Sequence, residues 1–287
     1  MKTLKTFLYR MLCGFFLGFS TFAPGFSGSV MAIAMGIYHD LVKIVSNPIV
    51  EIRKNIRFLV PLVLGALISL ILFVVVFRLL FQRFERAILF LFVGLIAGNL
   101  PLIAKELRGY SVRWREVVGG IAAFAIALGL SLVSEGVGSS GETGVTIWEM
   151  ALAGFLAGAV TFIPGMSISA ILIVMGVFGP FILMMESLVR LQTTYLPHVI
   201  VLILCAVLGL VLTARGIKKV FKRVPALANA CVLGFMSGTL IGIFIESLYA
   251  EDLYFHWGLG AIMLLAGAAL SSIFILLGKH MNRGDGV

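Results

Sequence analysis

Residues 14–36 (GFFLGFSTFAPGFSGSVMAIAMG) align without a gap on residues 154–176 (GFLAGAVTFIPGMSISAILIVMG), with 12 identities in 23 columns. The offset of 140 persists outside this stretch: Gly94, Gly98 and Leu100 match Gly234, Gly238 and Leu240, Phe81 and Arg83 match Phe221 and Arg223, and Leu130-Ser131 match Leu270-Ser271. The 287 residues therefore read as one unit of about 140, duplicated. Each unit holds a hairpin broken at Pro-Gly followed by three long apolar runs, an odd number of crossings whether or not the hairpin spans fully. Odd units invert, so the second copy is expected upside down relative to the first. That architecture lets secondary transporters build a site near the membrane midplane from paired broken helices.

Composition settles the solvent. With 61% hydrophobic and 12% charged residues and a mean hydropathy of +1.13, a soluble globular domain is excluded. Crossing a hydrocarbon layer of roughly 30 Å takes about 20 helical residues, and β-type alternation is missing. The expected fold is all-α and polytopic. A first inverted repeat, 1–140, holds a hairpin at 7–46 and helices at 58–80, 87–104 and 117–134. A second, 141–287, holds a hairpin at 147–186 and helices at 196–214, 226–247 and 257–278.

The net charge of +9 lies in short clusters between apolar runs, as topology determinants do, and does not indicate nucleic acid. With the N-terminus inside, 18 of the 22 Lys and Arg fall on the inner side, while Glu135, Glu142, Glu149, Glu246, Glu251 and Asp252 lie outside. Both termini are expected in the cytoplasm and no cleavable leader is expected. Arg78, Arg83 and Arg86 depart from the rule and should face outward. Trp114, Trp148 and Trp257 fall at run boundaries, where interfacial aromatics sit. Cys13, Cys205 and Cys231 have neither disulfide nor zinc spacing. No metal or cofactor is implied, and no oligomeric state follows.

Pro24-Gly25 and Pro164-Gly165 should each end one helix and start another. Around them lie Thr21, Ser27, Gly28 and Ser29 in the first half, and Thr161, Ser167 and Ser169 in the second. A new helix start leaves about four N–H groups unpaired and carries partial positive charge, which suits an anion. The competing reading is that small residues let helices approach and hydroxyls satisfy broken backbone. Recurrence at equivalent positions of both halves favours a functional site. From Phe26 to His39 is 13 residues, roughly 20 Å as one helix. A tip near the midplane would bring His39, Asp40 and Lys43 out at the inner surface, so re-entrant hairpins are expected.

At these residues the sequence resembles the DUF368 membrane proteins, identified as polyprenyl-phosphate (undecaprenyl phosphate) transporters. The resemblance rests on PGFSGSVMAIAMGIYHDLV (24–42), against a family pattern close to PGVSGGT with a following G-I-Y, and on the related motif at 164–178. Ser29 stands where the pattern has glycine, Ile168 replaces a second glycine, and Phe178-Gly179 replaces an aromatic–acid pair. The resemblance implies return of undecaprenyl phosphate from the outer to the inner leaflet of the bacterial cytoplasmic membrane, for reuse in cell-wall synthesis.

Such a substrate suits the residues. The tail stays in lipid, gaining roughly 0.8 kcal/mol per buried CH2, and only the phosphate needs a polar path. Arg78, Arg83 and Arg86 become candidates for collecting the head group, since arginine matches phosphate oxygens bidentately; a snorkelling helix end is the alternative. His39, Asp40 and Glu246 are candidates for coupling to a proton gradient, with a sodium gradient as the other energy source. Glu186 reads as a boundary residue, and Asn99 and Thr239 as equivalent positions on Gly-x-x-x-Gly packing seams. A small-inorganic-anion transporter would use the same tips. An intramembrane lipid phosphatase would need a nucleophile with a base, and His39, His198, His256 and His280 are scattered. The expectation is a transporter rather than an enzyme, with a polyprenyl phosphate and membrane lipids as partners.

Overall fold

The computed structural model describes residues 2–22, 28, 31–32, 35–46, 48–133, 145–161, 163, 166–250 and 256–282. Among these the chain is helical, without a strand. In chain order the helices are α1 (Lys2–Phe22), α2 (Tyr38–Ser46), α3 (Pro48–Lys54), α4 (Ile56–Phe81), α5 (Arg83–Arg108), α6 (Trp114–Val133), α7 (Ile147–Val160), α8 (Ile168–Val174), α9 (Phe178–Val189), α10 (Leu196–Arg223), α11 (Pro225–Tyr249) and α12 (Trp257–Asn282). Helices α4, α5, α6, α10 and α11 are long and apolar enough to cross a membrane, and α8 with α9 would make a sixth, bent span.

The long helices break where the sequence carries charge. A straight helix from 56 to 108 would measure roughly 80 Å, far more than the bilayer core. Helical geometry is interrupted at Phe84 (φ −137°, ψ 43°), between Arg83 and Glu85. Val224 (φ −136°, ψ 59°) lies 140 residues on, and Pro225 opens α11 without needing a donor. Helix α10 runs past the expected end at 214 to Arg223, carrying Lys219, Lys222 and Arg223 clear of the apolar stretch.

Helices α5 and α11 are the most buried spans; α6 and α10 turn most of their surface outward. The outward side chains are large and apolar, such as Ile121, Leu204, Leu212 and Leu265, as expected where lipid is the solvent. Trp114, Trp148 and Trp257 stand exposed at the starts of α6, α7 and α12. These features make the chain a multi-pass helical membrane protein.

Glycines set how closely the helices approach. A Cβ on Gly14 would overlap the Leu62 carbonyl and one on Gly18 would crowd Ala66, holding α1 against α4; Gly154 and Gly158 meet Leu202 and Ala206 in the same way, holding α7 against α10. Both members of each pair move by 140. The central helices pack across the halves: Gly94 and Gly98 of α5 face Leu264, Ala268 and Ser271 of α12, while Gly234 and Gly238 of α11 face Gly120, Phe124 and Ala127 of α6. The Gly-x-x-x-Gly motifs are thus packing seams, close enough to exclude any larger side chain.

One local expectation is corrected. The stretch after Pro24-Gly25 is not a single helix reaching His39, and its counterpart in the second half is interrupted in the same way. The breaks fall at Gly36 (φ +66°) and Gly176 (φ +69°), a left-handed conformation that glycine adopts without steric cost. Helix α8 is therefore only seven residues, about 10 Å long, and α9 leaves it at 116°. Neither α8 nor α9 alone reaches across a bilayer.

Candidate functional site

The second broken segment is built by local capping. Thr146 starts α7 with a reciprocal cap: its hydroxyl oxygen accepts from the Glu149 N–H, and the Glu149 carboxylate accepts from the Thr146 N–H at 2.7 Å. At the far end the Thr161 hydroxyl donates to the Ala157 carbonyl at 3.1 Å, closing the last turn. Ser167 (φ −118°, ψ 151°) caps α8: its oxygen accepts from the Ala170 N–H at 3.2 Å. The Ser169 hydroxyl donates to the same oxygen at 3.2 Å. Both serines are buried, Ser169 completely.

Ser167 lines a crevice with Ile96 of α5, Met166 and Ala170 of the broken segment, and Phe235, Met236 and Thr239 of α11. It has room for about one water molecule. The two central helices contribute matched polar groups. Asn99 donates its amide to the Leu95 carbonyl at 3.0 Å, and Thr239 its hydroxyl to the Phe235 carbonyl at 3.0 Å, donor and acceptor alike displaced by 140. At the crevice itself the hydroxyl-bearing residues Ser167 and Thr239 stand among apolar side chains, where a hydrogen bond to an anion is worth more than in water.

Other predicted residues are placed as follows. Pro24, Gly25, Ser27 and Ser29, and likewise Pro164 and Gly165, lie outside the described residues. Thr21 is in the last turn of α1. A Cβ on Gly28 would stand 3.6 Å from the Ser20 hydroxyl, which is fully buried and donates to the Leu17 carbonyl at 2.8 Å. His39 and Asp40 are exposed on α2, whereas Glu246 is half-buried in the last turn of α11. His39 and Asp40 thus share one element and Glu246 lies on another.

The three arginines separate into different roles. Arg83 is exposed at the start of α5. Arg86 donates to the Leu248 carbonyl at 3.3 Å and to the Ala250 carbonyl, binding the start of α5 to the negative end of α11. Arg78 is ion-paired with Glu186 of α9, and Arg190 takes the other carboxylate oxygen at 2.7 Å. Glu186 is thus a buried link between α4 and α9 rather than a boundary residue. Beside it Phe77, Phe81, Phe92 and Phe178 form an aromatic stack, with Phe77 5.0 Å from Phe81 and 5.5 Å from Phe178 between ring centres.

Sequence reasoning took Glu186 for a boundary residue and passed over Arg190 and the Gly36/Gly176 breaks. The Glu186–Arg190 spacing of four was a readable helix pair. Gly36 and Gly176 stood among the repeated identities. Among the described residues no group of three His, Cys, Asp or Glu side chains is arranged to hold a metal.

A polyprenyl-phosphate transporter of Staphylococcus aureus (strain NCTC 8325 / PS 47) is 28% identical over 244 residues, covering 82% of this chain and 85% of that protein. No solved structure matches. Residues 17–254, which run from the end of α1 through α11 and stop before α12, match the family described as VCA0040-like, undecaprenyl phosphate translocase-like, and the chain belongs to that family.

Proposed function

We propose that this chain is a transporter that returns undecaprenyl phosphate from the outer to the inner leaflet of the bacterial cytoplasmic membrane, making the carrier lipid available again for cell-wall synthesis. The reading takes its substrate class from the family and the staphylococcal relative. Its carrying observation is the buried Ser167–Ser169 pair at a helix break, beside an apolar crevice between α5 and α11. The pair already serves the fold, Ser167 capping α8 and Ser169 donating to it, and in this reading the same hydroxyls also replace part of the hydration of a polar head group that passes.

In this account the two halves are inverted repeats with cytoplasmic termini, and both hairpins are re-entrant. The 10 Å length of α8 and the 116° turn into α9 support that depth. The phosphate crosses over the serines and its counterpart residues Ser27 and Ser29, while the polyprenyl tail trails in lipid. A crevice with room for one water does not admit a phosphate, so transport requires α8 and α9 to move relative to α5 and α11. A proton or sodium gradient is the proposed source of direction, with His39, Asp40 and Glu246 as the candidate coupling residues.

The test is leaflet-resolved movement of labelled undecaprenyl phosphate in proteoliposomes, with released phosphate measured in parallel. The proposal expects movement well above empty vesicles, no phosphate release, and no competition from millimolar inorganic phosphate. Uptake of inorganic phosphate without lipid movement would replace it with a small-anion transporter. Released phosphate would make the protein a phosphatase.

A further inference from the structure

We infer that Arg78 and Arg190 form a phosphomonoester subsite at the outer end of α4, occupied at rest by the protein's own Glu186 carboxylate. This deepens, and rests on, the proposed lipid-phosphate transport.

Glu186 spans two guanidiniums, Arg78 on one oxygen and Arg190 on the other, the two-oxygen pattern a phosphate would present. The carboxylate is buried while Arg190 is largely exposed and Arg78 about a third exposed. An incoming anion thus reaches the arginines without first dislodging buried apolar side chains. The triad carries a net +1 with Glu186 in place. A phosphomonoester dianion neutralises two guanidiniums where a carboxylate neutralises one, which favours exchange at this point.

Exchange has a mechanical consequence. Glu186 is the polar tie between α9 and α4, and Phe178 at the start of α9 packs into Phe77 and Phe92. In the stretch 140 residues earlier, α2, His39, Asp40 and Lys43 are exposed, and Lys43 pairs with Glu51 of α3 at 3.5 Å. Phosphate at Arg78 and Arg190 releases the Glu186 tie and loosens α9, which follows α8 directly after the Gly176 turn, so the disturbance reaches the element that Ser167 caps.

The experiment measures binding of farnesyl phosphate to the purified full-length protein in detergent, with farnesol and inorganic phosphate as controls. A tethered competitor that holds the subsite closed about nine-tenths of the time weakens apparent affinity about tenfold. Glu186→Gln is expected to bind farnesyl phosphate about tenfold tighter, and Arg78→Gln about tenfold weaker, with farnesol silent. Unchanged or weaker binding by Glu186→Gln, with its melting transition intact, overturns the inference. Wild-type protein supplies a second readout should that variant not fold. Amide hydrogen exchange across 178–190 must speed up when farnesyl phosphate is added, and unchanged or slower exchange also overturns the inference. No binding of farnesyl phosphate to any variant would instead refute the transport reading itself. Equal tightening for inorganic phosphate would assign the subsite to free phosphate rather than to a lipid head group.

Discussion

Ser167 and Ser169 do different structural work, and that difference separates fold from function. Ser167 caps α8 and accepts from Ser169, so Ser167→Ala removes the cap, worth about 1 kcal/mol, and strands the buried Ser169 hydroxyl, worth a further 1–3 kcal/mol or so. Ser169→Ala leaves the cap intact and removes only a donor, at a cost of about 1 kcal/mol or less. Stability alone therefore ranks Ser167→Ala well below Ser169→Ala in melting temperature. Transport should not follow that ranking. A hydrogen bond to a charged phosphate is worth about 1.5–3 kcal/mol, so its loss from the barrier slows translocation by roughly tenfold to a hundredfold. Ser169→Ala is expected to melt near wild type and transport at least tenfold more slowly. Thermal unfolding in detergent and leaflet-resolved transport in proteoliposomes supply the two numbers. A folded Ser169→Ala with wild-type transport would refute the claim that these hydroxyls serve the head group.

Other perturbations bear on the fold. Gly158→Val drives a side chain into the Ala206 carbonyl and should cost at least about 1–3 kcal/mol, read as a lower melting temperature; an unchanged melt would contradict the α7–α10 seam. Gly176→Ala must hold φ at +69° and should cost about 1–2 kcal/mol, whereas Gly216→Ala, inside α10 with open space around it, should melt at or above the wild-type temperature. Arg78→Gln leaves Glu186 with Arg190 alone and should destabilise by about 3 kcal/mol, the low end for a broken buried pair because Arg78 is 34% exposed. Arg78→Gln with Glu186→Gln should recover most of that loss, and additive losses in the double-mutant melt would contradict the pairing.

The repeat made much of the bundle legible because duplication preserves contacts as well as residues. Gly14 and Gly154 could be paired from the sequence, and each meets the carbonyl 48 residues further on, at Leu62 and Leu202. The six long apolar runs were readable because each carries enough apolar surface to need lipid or a neighbour. The breaks after Met35 and Met175 were not read, since glycine within an apolar run usually marks packing; only its left-handed dihedral reveals a turn. Arg78 and Glu186 lie 108 positions apart in different halves, and no local pattern announces such a pair. Thr161 shows what sequence leaves open: a hydroxyl beside a break also closes its own helix, a bond no local pattern announces.

The account's central claim is that a polyprenyl phosphate crosses with its head group over the Ser167–Ser169 break. The most direct measurement is photocrosslinking in proteoliposomes, using a polyprenyl phosphate that carries a photoreactive group next to the phosphate, followed by peptide mapping of the adducts. The account predicts adducts at the crevice, on Met166, Ile96, Met236 or Thr239, reduced by excess unlabelled lipid. Adducts confined to the outward faces of α6 and α10, with the crevice unlabelled during active transport, would contradict it.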